Sequence, residues 1–318
     1  MRSFILKTLS FSGLLLLMVV LTLMINRYLA DFKIEKEKTI LILGDSKSAC
    51  AFNDDLIEGV ANFSQLGESY FYSYFKLKQL LEQNTQVNTV LIEISNSQMN
   101  KELDRRIWGE KYMPFKFPIY ASFMNFEAIK VLYTNGFQEF KSSIVPVIRE
   151  NLKMLFNGLD YIENIGGHSS LDTHLVDSVI LSPEINNELY KTEPDISEIV
   201  DFKYLHKIAE FCELKGVKLF LVRSPLHPKY PGFINESQFK KIISQEFSQL
   251  EFLDFSQFPI SNNGFADLNH LNEHGAALFS KWFNELLNER LFDQNLKQSL
   301  INQRIDQSVN LKNNELSN

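Results

Sequence analysis

A serine near the amino end of the chain and a histidine and an aspartate near its carboxyl end could act as a nucleophile, its base and the carboxylate that orients the base. Ser46 follows Gly44 and Asp45, and Asp267 precedes His270 by three positions. That spacing lets Asp267 orient one ring nitrogen of His270 while the other accepts a proton from a serine. We therefore predict that His270 serves as general base for Ser46 and as general acid for a leaving alcohol.

The segments around these residues are suited to bring them together. Residues 39–43 are apolar almost throughout, which is typical of a strand buried on both faces of a parallel sheet. Gly44 permits a sharp bend at the carboxyl end of that strand, and Ser46 would begin a helix whose free N–H groups favour negative charge. Asp267 and His270 lie on a loop after the last strand, and Asn272 is predicted to cap the final helix.

Strands and helices alternate along most of the chain, which predicts an α/β fold with a parallel, doubly wound sheet of about five strands. The predicted strands are residues 39–43, 60–64, 90–94, 217–222 and 252–255, and the predicted helices are 69–82, 196–215 and 237–250. The last strong helix would bury Leu278, Phe279, Trp282, Phe283, Leu286 and Leu287.

The alternation stops between residues 97 and 195, which we interpret as a largely helical insertion covering one end of the sheet. It holds a helix-like stretch at 144–156 and many aromatic residues, which favour a satellite core over stacking on sugar rings. Residues 32–292 would form the α/β domain around this insertion. Beyond residue 293 the sequence is polar and rich in Asn and Gln, so a disordered tail is expected over 293–318.

Residues 8–26 are uncharged and long enough to cross a bilayer, so residues 1–31 are predicted to be an amino-terminal membrane anchor. A cleaved signal peptide is the alternative, although the apolar stretch is long for one and the following residues make a poor cleavage site. We expect a single-pass protein with its domain in the periplasm or outside the cell.

The net charge of −7 and the lack of a long basic run argue against nucleic-acid binding. Cys50 and Cys212, the only cysteines, are expected to be buried free thiols.

Gly44-Asp45-Ser46 after the first strand, with Asp267-x-x-His270 and Asn272-x-x-Gly275 before the last helix, resembles the SGNH (GDSL) hydrolase superfamily. The resemblance implies an αβα sandwich on a five-stranded parallel sheet of flavodoxin-like type, and esterase or acyltransferase activity without a cofactor. It places the nucleophile on Ser46 and the Asp/His pair on Asp267 and His270. The oxyanion hole would be formed by the Ser46 N–H, Gly67 and Asn96, although the usual Gly-x-Asn-Asp block reads Ile94-Ser95-Asn96-Ser97 here.

The sequence is also compatible with other roles for several histidines and for Arg223. His270, Glu273 and His274 fit the H-x-x-E-H pattern of some zinc peptidases, although that pattern requires one continuous helix. His168 and His174 are expected in a solvated loop. Arg223 and His227 follow the fourth strand, where ligands bind in open sheets, and are possible substrate contacts.

The resemblance implies a membrane-anchored hydrolase, a serine esterase or O-acetyltransferase, that acts on cell-envelope carbohydrate through an acyl-Ser46 intermediate. Envelope acyltransferases or polysaccharide-assembly proteins would be its partners. The alternative is an SGNH-like binding or assembly component of a polysaccharide system with little or no turnover.

Overall fold

The computed structural model describes residues 1–99, 101–174, 176 and 201–316. The strands are β1 (Ile40–Leu43), β2 (Val60–Asn62), β3 (Thr89–Glu93), β4 (Lys218–Arg223) and β5 (Glu251–Asp254). The helices are α1 (Arg2–Leu29), α2 (Ser46–Ala51), α3 (Tyr70–Gln83), α4 (Arg105–Trp108), α5 (Met113–Tyr120), α6 (Phe126–Asn135), α7 (Phe137–Asn157), α8 (Lys203–Lys215), α9 (Glu236–Glu246), α10 (Glu273–Asn288) and α11 (Lys297–Leu316). Short 3₁₀ segments include Asn96–Met99, Lys101–Asp104, Pro231–Asn235 and Asn262–Gly264.

The five strands form one sheet in the order β2-β1-β3-β4-β5, and every neighbouring pair is parallel. This confirms the predicted five-stranded parallel sheet, with strand ends displaced by one or two residues. The chain changes its direction of travel across the sheet between β1 and β3. Such a switch point, at the carboxyl ends of the strands, is where open α/β sheets bind ligands.

Alternate side chains of the strands enter two apolar cores, one on each face of the sheet. Leu41 and Val90 pack with α3 and α8, whereas Ile42 and Leu91 pack with α10 and α11. The domain therefore has helices on both faces of its sheet, as the near-continuous apolar strands predict. Helix α8 begins at Lys203, and the predicted start near residue 196 lies outside the described residues.

The prediction of a disordered tail over residues 293–318 is wrong for most of its length. Residues 297–316 form α11, and Ile301 and Ile305 on that helix are buried in the core that contains α10. Two apolar residues one turn apart give an otherwise polar helix enough buried surface to dock. A smaller correction concerns Leu278, which is exposed on α10 rather than buried.

The predicted insertion contributes α4 to α7 and extends the core on the α3 face. Phe117, Tyr120 and Phe123 are buried there, in line with a core role, whereas Phe115 and Phe126 are exposed. Before the domain, residues 3–29 form a helix long and apolar enough to span a membrane or to act as a signal sequence.

Candidate active site

Ser46, His270 and Asp267 meet at the carboxyl edge of the sheet. The Ser46 Oγ lies 2.8 Å from His270 Nε2, and His270 Nδ1 lies 2.9 Å and 3.0 Å from the two carboxylate oxygens of Asp267. A carboxylate can only accept, so Nδ1 carries the proton and Nε2 of the neutral ring accepts from the serine hydroxyl. The structure thus brings Ser46 together with His270, which lies 224 positions later in the sequence, and with the neighbouring Asp267.

Local backbone bonds hold the Asp267 carboxylate in place. Its Oδ1 accepts from the backbone N–H groups of Asn269 at 2.7 Å and of His270 at 2.9 Å, which closes a tight turn. Burial raises the pKa of Asp267, but the bonds from His270 and these N–H groups outweigh it and lower the pKa. Asp267 is therefore ionised at neutral pH and can stabilise the imidazolium that forms when His270 takes a proton.

The turn from β1 into α2 presents Ser46 while burying its neighbours. Gly44 has φ +155°, and a Cβ there would come within 2.4 Å of both Glu93 Cβ and Ser48 Oγ. Asp45 caps α2, and its side chain accepts from the Lys47 N–H at 3.1 Å. Ser46 is partly exposed at the first position of α2, where the backbone N–H groups have no partner within the helix.

Two cations flank the buried Asp45 carboxylate. Arg106 from α4 lies 3.0 Å from Oδ2, and the Lys47 ammonium lies 3.6 Å from it. Burial raises the pKa of Asp45, yet the charges of Lys47 and Arg106 and their hydrogen bonds lower it well below its usual range. Lys47 also donates to Ser97 Oγ at 2.9 Å. The insertion therefore supplies one of the charges that fix the turn containing Asp45 and Ser46.

Gly67, predicted in the oxyanion hole, lies in the turn between β2 and α3. It adopts φ +63°, and a Cβ there would come within 2.6 Å of the Tyr112 ring. Within the described ranges, the Gly67 N–H has no hydrogen-bond acceptor. A glycine is required here for both backbone and space, and its free N–H is available to a ligand.

A buried ion cluster supports the turn that contains Gly67. Glu68 lies 2.8 Å from the Lys76 ammonium and 3.7 Å from that of Lys116 on α5. Lys76 donates to Phe63 O at 2.6 Å and Lys116 donates to Leu66 O at 3.1 Å. Burial lowers the pKa of Lys116 to about 8, against the opposing effect of Glu68. These bonds attach the turn to both α3 and the insertion.

Asn96, the third predicted donor, is held by a charge network rather than lying free. Its Oδ1 accepts from Arg223 at 2.9 Å, and its Nδ2 donates to Glu236 at 2.9 Å. The amide orientation is therefore fixed, and one of its two N–H groups is used by Glu236, which leaves the second. Asn96 is buried, and it begins the 3₁₀ segment that follows β3. It therefore lies at the carboxyl edge of the sheet, near the switch point between β1 and β3.

Arg223 is only 1% exposed, and each of its five N–H groups has a protein acceptor. Besides Asn96, these acceptors are the carboxylates of Glu236 on α9 and Asp254 at the end of β5. The possible substrate contact of Arg223 is therefore not supported by this geometry, because the guanidinium has no further donor to offer. Its position instead suits it to orient Asn96.

His227 is also buried and bound within the protein. Its Nδ1 accepts from the Lys229 N–H at 3.1 Å, so its Nε2 carries the proton and donates to Asn262 Oδ1 at 3.1 Å. Both ring nitrogens are therefore used, and the possible substrate contact of His227 is not supported by this geometry.

The zinc-peptidase pattern is not realised in this fold. His270 precedes α10, and Asn272 caps that helix by accepting from the Gly275 N–H at 3.0 Å, as predicted. His274 lies in the first turn of the helix, so the two histidines do not share a continuous helical face. Asp267 and Ser46 already bind both nitrogens of His270.

His168 and His174, expected in a solvated loop, each contact the domain. His168 Nδ1 lies 3.0 Å from Ala49 O, and His174 Nδ1 lies 2.8 Å from Asn272 Nδ2.

Several residues that shape the site were not predicted from sequence. They are Lys47, Arg106, Tyr112, Lys116, Glu236 and Asp254. Lys47 adjoins Ser46 and could have been considered from the sequence, but the other residues reach the site from distant elements.

Comparisons with known proteins give little functional information. A protein-family model that carries no functional description matches residues 182–292. No curated protein matches the chain. A solved structure described as "a putative platelet activating factor from Streptococcus pneumonia" aligns over 89% of this chain and 98% of its own, with 13% identity and a TM-score of 0.36. A likeness this distant carries no argument about activity, so the chemistry must be argued from the site itself.

Proposed function

We propose that this chain is a membrane-anchored serine esterase or O-acyltransferase of the SGNH type. The observation that carries the proposal is the Ser46–His270–Asp267 arrangement, with a 2.8 Å contact between the Ser46 Oγ and His270 Nε2. A serine hydroxyl is a weak nucleophile until a base within hydrogen-bond distance removes its proton. The Gly67 N–H and the first-turn N–H of Ser46 support the proposal because they have no other acceptor in the described residues.

In the first half-reaction, the Ser46 Oγ attacks the ester carbonyl carbon while its proton passes to His270 Nε2. The negative oxygen of the tetrahedral intermediate would accept hydrogen bonds from the Ser46 and Gly67 N–H groups and from Asn96. Each such donor typically contributes about 3 kcal/mol to the transition state. The imidazolium then protonates the leaving alcohol, which leaves the acyl group on Ser46.

In the second half-reaction, His270 removes a proton from water or from an acceptor hydroxyl, which attacks the acyl-Ser46 carbonyl. Collapse of this intermediate returns the proton to Ser46. We propose acetyl as the acyl group and an envelope carbohydrate as its carrier or acceptor, in a periplasmic or extracellular domain, by analogy with anchored SGNH-type proteins.

A fluorophosphonate probe tests the nucleophile directly, since a base-activated serine beside an oxyanion hole attacks phosphorus. We expect the full chain to be labelled and the Ser46→Ala variant to remain unlabelled. Equal labelling of the two would remove Ser46 as the nucleophile.

The two neighbouring histidines provide a matched pair for hydrolysis of an acetyl ester. His270→Gln should lower kcat by several orders of magnitude, whereas His274→Gln should change it little, with or without a chelator. Equal, severe losses together with chelator sensitivity would instead support zinc chemistry.

One observation favours a second candidate function, a binding or assembly component with little turnover. Glu236 occupies one N–H of Asn96, so that residue has only one donor left for an oxyanion. An active-site serine that fails to react with the probe in the intact chain would favour this alternative.

A further inference from the structure

Helix α7 of the insertion is attached to α1 through buried polar groups. Asn26 on α1 is fully buried, and its Nδ2 donates to both the O and the Oδ1 of Asn151 at 2.8 Å. Ser122 donates to the same Oδ1 at 2.6 Å, and Asn151 donates to Pro118 O at 3.0 Å. This asparagine clasp, formed by Asn26, Ser122 and Asn151, fixes the level at which α7 meets α1.

That level is the end of the apolar segment of α1. A recess between the two helices is lined by Leu15, Met18, Val19, Thr22 and Leu23 of α1 and by Ile148, Asn151 and Leu152 of α7. The α1 residues precede Arg27, the first charge after the segment, by four to twelve positions, or roughly 6–18 Å of helix. If α1 crosses a bilayer with Arg27 at its surface, Ile148 and Leu152 lie beside the hydrocarbon.

The same side of α7 carries large apolar residues that the protein leaves uncovered. Val145 is 71% exposed and Phe156 is 83% exposed, and Leu152 is exposed between them. Spacings of seven and four residues place these three on one helical face. Arg149 and Lys153 flank the face and pair with Glu150 at 3.3 Å and 3.7 Å, so their long stems lie next to it. Such apolar faces bordered by long basic side chains suit the boundary between acyl chains and headgroups.

We propose that α7 is a second membrane-contacting element, with Val145, Leu152 and Phe156 in contact with lipid. The proposal rests on α1 being a membrane span and is independent of any catalytic activity. The occupant is the bilayer because the recess beside this face is lined mainly by apolar residues of both α7 and the candidate membrane span α1. The contact would fix the height and orientation of the domain over the membrane more firmly than α1 alone.

The test is a fluorophore placed on single cysteines in the full chain, reconstituted in lipid vesicles. Cys50 and Cys212 are buried, and burial raises the pKa of each thiol to about 12, so neither competes for the label. The probes are V145C and F156C. The matched control is I234C, since Ile234 is 70% exposed but lies in the segment Pro231–Asn235 after β4, at the candidate-site edge.

Labels at V145C and F156C are expected to be quenched several-fold more by brominated lipid than the label at I234C, and several-fold less by aqueous iodide. Labels at V145C and F156C that respond like the control would overturn the proposal. Protection from both quenchers would also overturn it, because a protein surface would then cover α7. If alkaline carbonate released the unlabelled chain from membranes, α1 would not be an anchor and the proposal would fail with it, while labelling of Ser46 would be unaffected.

Discussion

The contact between Arg223 and Asn96 offers a test of how the candidate oxyanion site is built. Arg223 uses all five of its N–H groups, and one of them fixes the Oδ1 of Asn96. In Arg223→Lys the ammonium has at most three donors, so at least two of these contacts are lost. We expect a fall of about 3–6 kcal/mol in the free energy of unfolding, since each hydrogen bond to a charged group contributes about 1.5–3 kcal/mol.

The catalytic effect should pass through Asn96. If the Asn96 amide donates to the oxyanion, Asn96→Ala should lower kcat by about 10²–10³-fold. Arg223→Lys alone should lower kcat by about ten- to a hundredfold, because a small displacement of a catalytic group is costly. In the Asn96→Ala background, however, Arg223→Lys should change kcat by less than about twofold, since the group it positions is already gone.

The assay is hydrolysis of 4-nitrophenyl acetate by the four proteins of this double-mutant cycle, with unfolding followed by circular dichroism. The stability measurement separates loss of folded enzyme from loss of turnover. If Arg223→Lys lowers kcat by the same factor in both backgrounds, Arg223 does not act through Asn96. An unchanged kcat in Asn96→Ala would remove Asn96 from the oxyanion hole.

Three further predictions concern the Gly67 turn, Glu236 and α11. Gly67→Ala should lower both esterase kcat and stability, because the added Cβ would clash with the Tyr112 ring. Gly216→Ala is the control: this glycine has a similar φ of +67° but open space around it, so the substitution should lower stability by only about 1 kcal/mol and leave kcat unchanged. Burial raises the pKa of Glu236, but the hydrogen bonds from Arg223 and Asn96 and the charge of Arg223 lower it to about 2. The stabilising contribution of Glu236 is therefore present above about pH 4.5 and is lost as pH falls towards 2. Denaturant unfolding of Glu236→Gln should therefore show a weaker loss of stability across that range, and a slope equal to that of the parent would contradict the ion pair. Ile301→Ala should cost about 2–4 kcal/mol because the side chain is buried. Val309→Ala should cost under about 0.5 kcal/mol because that side chain, further along α11, is exposed, and two equal, negligible effects would show an undocked tail.

The residues that could be predicted from sequence are those whose signals are local. The apolar run before Gly44 indicated a buried strand, and Asp267 and His270 lie in one short turn closed by backbone bonds to the same carboxylate. Asn272 caps α10 through a bond to a residue three positions later. Each of these depends on neighbours in sequence, so residue type and spacing were sufficient.

The charge partners could not be predicted because they join distant parts of the chain. Arg106 lies 61 residues from Asp45, and Glu236 lies 140 residues from Asn96. Nothing near Arg223 indicated that five acceptors would surround it, so its place after β4 suggested a substrate contact. Helix α11 was missed for another reason: its polar composition outweighed the i, i+4 spacing of Ile301 and Ile305, which was the signal for a docked helix.

The insertion is an integral part of the candidate site rather than a removable cover. It supplies Arg106 to the buried Asp45 carboxylate and Lys116 to the buried Glu68 carboxylate, next to the two turns that present Ser46 and Gly67. A buried carboxylate that loses a cationic partner is strongly destabilised, so both turns depend on this segment for their shape. The same segment continues into α7 and the asparagine clasp with α1. The elements that hold the proposed nucleophile and oxyanion donors are therefore joined, through α5 and α7, to the helix proposed to cross the membrane.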